Sequence, residues 1–224
     1  VLFSTIRTAG GQAFGHATLN APASLNALSL PMVDLLDPQL TAWAADPGIV
    51  GVVLDAVGEK AFCAGGDVVG LYRSIRATPA GELPRDAAAF FEREYRLDHR
   101  IHRYPKPLLC WGHGIVMGGG MGISQGSGFR LVGPRTKMAM PETAIGLFPD
   151  VGGSYFLSRS PVGLYLGLTG ITAYFGTMLI GAHAAARCLE WPISRAARAA
   201  VGLSYAVVWL TFVGLYARNY GRGV

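Results

Sequence analysis

Two glycine-rich segments hold the residues best suited to chemistry: Ala61-Phe62-Cys63-Ala64-Gly65-Gly66-Asp67 and Met117-Gly118-Gly119-Gly120-Met121-Gly122. Each follows an apolar, strand-like run. Glycine lets a backbone approach a ligand closely and adopt conformations barred to other residues. Two such loops facing each other would aim two backbone N–H groups at one oxygen. Donors placed that way stabilise the negative charge that grows on a carbonyl oxygen during acyl chemistry. A carboxylate is then needed for the proton or nucleophilic work, and Glu142 and Asp150 are the candidates.

The elements that must position these groups alternate. Residues 16–19, 49–54, 108–116, 129–132 and 137–140 read as strands, most of them apolar and β-branched. Residues 31–45 read as a helix, with Pro31 suited to the first turn and Met32, Leu35, Leu36, Leu40 and Trp43 at helical spacing. Residues 86–103 read as a second helix, closed by Pro105 and Pro107. Alternating strands and helices predict an α/β fold with parallel pairing. In that class ligands sit beyond the carboxyl ends of strands, and both glycine loops lie at such ends.

The chain of 224 residues is long enough for one good-sized domain with an appendage. With 51% hydrophobic and 15% charged residues it is apolar for a soluble protein. Cys63, Cys110 and Cys188 make neither a CxxC pair nor an even framework, which predicts a reduced, intracellular setting. No zinc pattern is present, and no metal or redox cofactor is expected. The net charge of +5 belongs to one end: residues 1–150 carry 13 basic and 13 acidic side chains, and residues 151–224 carry six arginines and Glu190. That is no basic stripe interleaved with aromatics, so nucleic acid is excluded as an expected partner. The first residues lack the charged, apolar and cleavage regions of a leader in order, so no signal peptide is expected.

The last third differs from the rest. Residues 199–217 form a 19-residue uncharged run, close to the ~20 that span a bilayer. Three readings stay open: a buried or interface helix, a membrane segment, or a sequence displaced from its ancestral frame or joined to something else. The first is favoured, and membrane association is not.

Read together, Leu25-Asn26-Ala27-Leu28, the two glycine segments and Met140-Pro141-Glu142-Thr143-Ala144-Ile145-Gly146-Leu147-Phe148-Pro149-Asp150-Val151-Gly152-Gly153 resemble the crotonase (enoyl-CoA hydratase/isomerase) superfamily. The last run, continuing into Ser154-Tyr155-Phe156-Leu157, is similar to the 3-hydroxyisobutyryl-CoA hydrolase branch. The resemblance extends from about residue 14 to about residue 170 and fades beyond. It implies a spiral of repeated ββα units over residues 1–170, followed by an apolar, arginine-flanked helical tail over residues 171–224. It implies an acyl-CoA substrate, no separate cofactor, and a homo-oligomer as a partner.

The resemblance also assigns roles. The backbone N–H groups of Cys63 and Gly119 form the oxyanion hole, with Gly66, Asp67, Gly118 and Gly120 shaping the substrate site around them. Only the backbone of Cys63 acts, so its thiol is expected to be packing. Asp67 is expected to fix its loop through backbone hydrogen bonds, as Asp does in turns. Hydratases of the superfamily carry glutamates at positions 122 and 142. Gly122 removes one of the two carboxylates that flank the added water, which argues for thioester hydrolysis. Glu142 is then the central catalytic residue, as a nucleophile or as a base on water; the sequence leaves both open. Outside the resemblance, a Glu after Pro at a helix start is usually a partner for the helix dipole. Asp150 is expected to contact the substrate 3-hydroxyl, against a plain reading as a Pro-Asp turn residue. Glu94, within residues 86–103, is expected to contact substrate, against a plain reading as a solvated helix charge. His99, His102 and His113 are read as structural.

Asn20-Ala21-Pro22 lacks the basic residue that family members often carry there, which weakens the expected grip on the nucleotide phosphates. The expected activity is hydrolysis of 3-hydroxyisobutyryl-CoA or a similar short 3-hydroxyacyl-CoA, as in valine breakdown, in the cytoplasm or alternatively the mitochondrial matrix. The rivals are an enoyl-CoA hydratase or isomerase, and a truncated non-catalytic protein with a crotonase core.

Overall fold

The computed structural model describes residues 1–142 and 147–159. They fall in two units, one of Val1–Ala139 with Asp150–Gly153, the other holding residues 140–142, 147–149 and 154–159. In the first unit the chain winds as a spiral whose successive strand pairs feed two different sheets.

Strands β1 (Leu2–Arg7) and β2 (Ala13–Leu19) form an antiparallel hairpin. Along β2 every second residue is buried, so Ala13, Gly15, Ala17 and Leu19 face inward. The indole of Trp43 lies where a Cβ on Gly15 would be, so the small residue there is a packing requirement. Helix α1 (Leu30–Ala45) returns the chain, and β3 (Ile49–Ala56) joins β2 in parallel. Strand β4 (Ala61–Cys63) then leaves this sheet and begins the second. After α2 (Val68–Ala77) and α3 (Arg85–His102), the pair β5 (Leu108–Gly112) and β6 (Ile115–Met117) repeats the pattern. After α4 (Gly119–Gly126), β7 (Phe129–Val132) and β8 (Lys137–Ala139) repeat it again. The first sheet runs β1-β2-β3-β5-β7 and the second β4-β6-β8. All pairings after the hairpin are parallel. These are repeated ββα units, the architecture the motifs imply. A short helix, α5 (Gly153–Ser158), closes the described chain.

The helices seal the sheets with apolar stripes. Helix α1 buries Met32, Val33, Leu36, Leu40 and Trp43. Helix α3 buries Ala87, Phe90, Glu94, Leu97 and Ile101, a spacing of three and four that marks one face. The two helices pack on each other, and two ion pairs, Arg93 with Asp34 and Arg100 with Asp37, border that contact. Tyr104 adds an O–H bond to the Leu40 carbonyl at 2.7 Å.

The structure corrects one expectation and adds two elements that the sequence reading did not contain. Residues 108–116 are two strands in two sheets, split at Gly112-His113-Gly114. Gly114 has φ +58°, and the Lys60 carbonyl lies where its side chain would be. Hydropathy alone cannot see this change of sheet. Helix α2 is not expected from the sequence, because Val68, Val69, Tyr72 and Ile75 are exposed and give no buried stripe. The first strand, β1, also lacks an apolar run and is mostly exposed. The apolar tail, 171–224, lies outside the described residues. Among the described residues no helix is long and apolar enough to cross a membrane.

Candidate active site

The first glycine loop is held by a latch from residues 25–28. Leu28 N–H donates to the Gly65 carbonyl at 2.7 Å, Asp67 N–H to the Leu28 carbonyl at 2.8 Å, and Ala64 N–H to the Leu25 carbonyl at 3.1 Å. Buried Asn26 anchors the latch itself. Its Oδ1 accepts from Ala21 N–H at 2.8 Å, and its Nδ2 donates to the carbonyls of Val57 and Ala61 at 3.0 and 2.9 Å. This is why an Asn stands in Leu25-Asn26-Ala27-Leu28: one amide satisfies three backbone groups. Asp67 caps α2, accepting from Gly70 N–H at 2.9 Å. Its backbone thus belongs to the loop and its side chain to the helix.

The second loop meets the first. A Cβ on Gly65, where φ is +119°, would stand 3.5 Å from the Met117 carbonyl oxygen and 3.8 Å from the Gly118 Cα. A Cβ on Gly119 would stand 3.5 Å from Gly66 N. The structure therefore brings Gly65 and Gly66 against Gly118 and Gly119. Gly118 precedes α4 with φ +51°, and Gly119 opens the helix. The first N–H groups of a helix have no partner within it and carry the positive end of its dipole. Gly120 lies against the Cys63 carbonyl with no room for a side chain. The Cys63 thiol is fully buried and bonds the Gly65 carbonyl at 3.5 Å. Burial pushes its pKa up to about 12, so it remains a neutral thiol with packing chemistry.

Helices α3 and α4 form a seam in which glycine and carboxylate alternate across the gap. Gly119, Gly122 and Gly126 share one face of α4. The Glu94 carboxylate lies where a Gly119 side chain would begin. The two Asp98 oxygens lie 2.8 and 3.0 Å from the Cβ position of Gly122, and Ile101 lies 3.2 Å from that of Gly126. Glu94 is 2% exposed and interrupts an otherwise apolar stripe, so it is no solvated helix charge.

Asp98 is the residue that sequence reasoning missed. Both its oxygens are out of solvent and have no hydrogen-bond partner among the described residues. Its pKa stands well above the ordinary 3.8, first through burial, then through the neighbouring charges of Glu94 and Asp150. The signal was present: Asp98 is one turn from Glu94, at the i,i+4 spacing that places both on one face.

Asp150 takes a hydrogen bond from the Tyr95 hydroxyl on its Oδ2 at 2.6 Å. Burial, then this bond to Asp150, raises the Tyr95 phenol above its usual range. Gly153 N–H bonds the Asp150 carbonyl at 2.7 Å, which ties the turn. Val151 is buried with φ +41°, an uncommon conformation for a β-branched residue. Its Cβ lies 2.7 Å from the Cβ position of Gly122. Asp98, Gly122, Val151, Asp150 and Tyr95 are thus one neighbourhood of the first unit.

Glu142 belongs to the second unit. It is buried at 8% exposure, and its carbonyl accepts from Leu147 N–H at 3.0 Å. Of the histidines, His113 bonds the Gly58 carbonyl at 2.7 Å, and His99 and His102 lie in the last turn of α3. A cleft bordered by the latch is lined by Pro22, Leu25, Asn26, Gly58, Glu59 and Lys60. Among the described residues no group of three His, Cys, Asp or Glu side chains is placed to hold a metal ion.

A family model for enoyl-CoA hydratase/isomerase matches residues 14–188. The chain is 52% identical over 159 residues to the mitochondrial 3-hydroxyisobutyryl-CoA hydrolase of Xenopus tropicalis, covering 70% of this chain and 40% of that protein. Among solved structures it is similar to a carnitinyl-CoA dehydratase from Mycobacterium thermoresistibile, with TM-score 0.66 and 44% identity over 75% of this chain and 48% of that one. An enoyl-CoA hydratase from Rhodobacter sphaeroides gives TM-score 0.63 and 40% identity, with 75% and 48% covered. The chain spans about 40% of the length of the hydrolases it matches.

Proposed function

Because the chain belongs to the enoyl-CoA hydratase/isomerase family, we propose that it binds an acyl-CoA and hydrolyses the thioester of a short 3-hydroxyacyl chain such as 3-hydroxyisobutyryl. The observation that carries this reading is the meeting of Gly65 and Gly66 with Gly118 and Gly119. It brings the end of β4 and the start of α4 together, where two N–H groups can share one oxygen. Similarity to 3-hydroxyisobutyryl-CoA hydrolases supports the choice of substrate and a place in valine breakdown. Their named compartment favours the mitochondrial matrix over the cytoplasm.

In this reading the thioester oxygen lies between the N–H groups of Cys63 and Gly119, which gain strength as the oxygen becomes an anion. Glu142 does the chemistry by one of two routes. As nucleophile, its carboxylate bonds the thioester carbon, the C–S bond breaks, and CoA leaves as a thiolate that takes a proton from water. A second water then cleaves the mixed anhydride and restores the carboxylate. As base, Glu142 takes a proton from water while the oxygen of that water bonds the carbon. The proton then passes to the leaving thiolate. Glu94 and Asp150 position substrate and water. Lys60 lines the cleft beside Pro22 together with Glu59, so the cleft carries no net charge to replace the one that Asn20-Ala21-Pro22 lacks.

The test is release of free thiol from 3-hydroxyisobutyryl-CoA by the 224-residue chain. Release by the unmodified chain and none by a folded Glu142→Gln variant is the expected result. Turnover retained in that variant removes Glu142 from the mechanism.

A second reading, hydration of an enoyl-CoA, draws on Asp98, whose oxygens lie 2.8 and 3.0 Å from the Cβ position of Gly122 and so bring a carboxyl near that place. The absence here of the glutamate that hydratases carry at position 122 argues against it. Loss of the enoyl absorbance of crotonyl-CoA, without thiol release, would decide for this second reading.

A further inference from the structure

The outer face of the first sheet carries a polar cluster that the chemistry above does not use. Ser4 on β1, His16 on β2 and Asp55 on β3 stand on three adjacent strands. The register pairs Ser4 with His16 and Thr18 with Asp55, and alternation along β2 turns His16 and Thr18 away from the buried Ala17. The Ser4 hydroxyl lies 3.2 Å from His16 Nδ1, and His16 Nε2 lies 2.9 Å from Asp55 Oδ2. Thr18 Oγ1 stands 3.2 Å from the same Nε2. A carboxylate only accepts, so Nε2 carries a hydrogen, and in the neutral ring the Nδ1 lone pair is left for the Ser4 hydroxyl. The other Asp55 oxygen, Oδ1, is shut from solvent and has no hydrogen-bond partner among the described residues. The carboxylate is thus committed to His16.

Nucleophile, base and orienting carboxylate stand here in that order. Phe3, on the opposite face of β1, sets its ring edge-on to Trp43 with centroids 5.8 Å apart and so anchors the strand. Ser4 is exposed, whereas the His16 and Asp55 side chains are 22% and 32% exposed. A reagent can reach the hydroxyl while the groups behind it stay fixed. Thr8 N–H donates to the Gln12 carbonyl at 2.9 Å, which makes Thr8 and Gln12 a hydrogen-bonded pair. Alternation gives the same character to Ser4 and His16 and turns the Thr5 N–H to the free side of this edge strand. A donor one residue past the nucleophile is placed to meet a developing oxyanion. We propose that Ser4, with His16 as base and Asp55 as positioning residue, is a second nucleophilic site that accepts the acyl group of an activated ester or thioester. Ser4 Oγ bonds the acyl carbon, its proton goes to His16 Nδ1, and the bond to the leaving phenolate or thiolate breaks. That proton then passes to the leaving group. Water next attacks the acyl-serine and gives a proton to Nδ1, which returns it to the Ser4 oxygen as that oxygen leaves. The site lies outside both glycine loops and does not depend on the acyl-CoA reading above.

The experiment treats the full chain with diisopropyl fluorophosphate, from which an activated serine displaces fluoride, and maps the phosphoryl group by peptide mass spectrometry. Circular dichroism confirms that each variant is folded. Label is expected on Ser4, at a rate that His16→Gln lowers roughly hundred-fold, the low end of what a positioned general base supplies. His16→Ala should regain labelling with added imidazole, which a purely structural histidine would not give. Asp55→Glu keeps the charge and should label faster than Asp55→Asn, which keeps the size alone; a structural Asp55 would show no such order. With p-nitrophenyl acetate as acyl donor, release of p-nitrophenolate should fall in Ser4→Ala. An unlabelled Ser4, a rate unchanged in folded His16→Gln, or ester cleavage unchanged in Ser4→Ala would each overturn the proposal. If neither His16 variant folds, the Asp55 pair decides, and equal rates in its two variants overturn the proposal. Because the label is located on Ser4 itself, the result holds whether or not the chain turns over an acyl-CoA.

Discussion

The Tyr95 hydroxyl donates to Asp150 Oδ2 at 2.6 Å, joining α3 to a turn 55 residues on in sequence. The phenol keeps its proton, because burial and Asp150 together raise its pKa. It therefore fixes the orientation of the Asp150 carboxylate, with Oδ2 held by the phenol. Tyr95→Phe removes that hold without changing the shape of the ring. A hydrogen bond to a charged group contributes roughly 1.5–3 kcal/mol, so kcat/KM on a hydroxylated thioester should fall roughly ten- to hundred-fold. Steady-state thiol release measures this. An unchanged value would mean that the turn at residues 150–153 holds Asp150 by itself.

Much of this site is legible in the amino-acid sequence itself. Glycine loops at strand ends announce close backbone approach, and the run containing Glu142 and Asp150 carries a family resemblance no single motif could. Asp98 is only faintly legible there, through its i,i+4 spacing from Glu94, because an acid on a helix rich in Asp, Glu and Arg otherwise looks like any solvated charge. What separates it is its partner across the seam, Gly122, and glycine has no side chain with which to announce a contact. Tyr95 is hidden for a similar reason: its partner is far along the chain. The change of sheet at Gly112-His113-Gly114 is likewise set by the Lys60 carbonyl, a tertiary contact. Glu94 is nearer to legible, since it falls at a buried position of the stripe formed by Phe90, Leu97 and Ile101.

Gly122→Ala sets two effects against each other. Alanine in a helix interior is favoured over glycine by about 1 kcal/mol. The new methyl would stand 2.7 Å from the Val151 Cβ and 2.8 Å from an Asp98 oxygen. Overpacking of this kind costs about 1–3 kcal/mol, and Val151, already at φ +41°, has little freedom to retreat. The clash should win, with the variant melting roughly 2–6 °C lower. A thermal scan that shows a gain would mean that the α3–α4 seam opens at little cost.

Asn26→Ala strips donors from the carbonyls of Val57 and Ala61 and an acceptor from Ala21 N–H. The residue is 1% exposed, so water does not readily replace the amide. Unsatisfied buried groups cost roughly 1–3 kcal/mol each, and a total near ~3 kcal/mol is expected. Asn26→Asp should be no better, since it keeps the acceptor but turns both donor contacts into opposed lone pairs. Because the latch holds Gly65 through Leu28, activity should fall further than stability alone explains. Urea unfolding midpoints beside thiol release at a temperature where the variant is folded separate the two losses. Activity that tracks only the folded fraction would deny the latch a part in shaping the loop.

The raised pKa of Asp98 carries a stability signature opposite to that of most acids. Below the ordinary value of 3.8 the carboxyl holds its proton in both states. Above it the unfolded chain releases the proton while the folded chain retains it, so the folded state binds more protons. Stability then falls as pH rises, until the higher folded pKa is passed and the curve levels. Asp98→Asn has no proton to lose and escapes this decline, while burying an amide of the same shape. The stability of the variant relative to the unmodified chain should therefore grow from about pH 4 upward and level once the folded-state pKa is passed. Urea midpoints taken across that range read the difference directly. Parallel curves would mean that burial beside Glu94 and Asp150 leaves the Asp98 carboxyl no higher in pKa than in the unfolded chain.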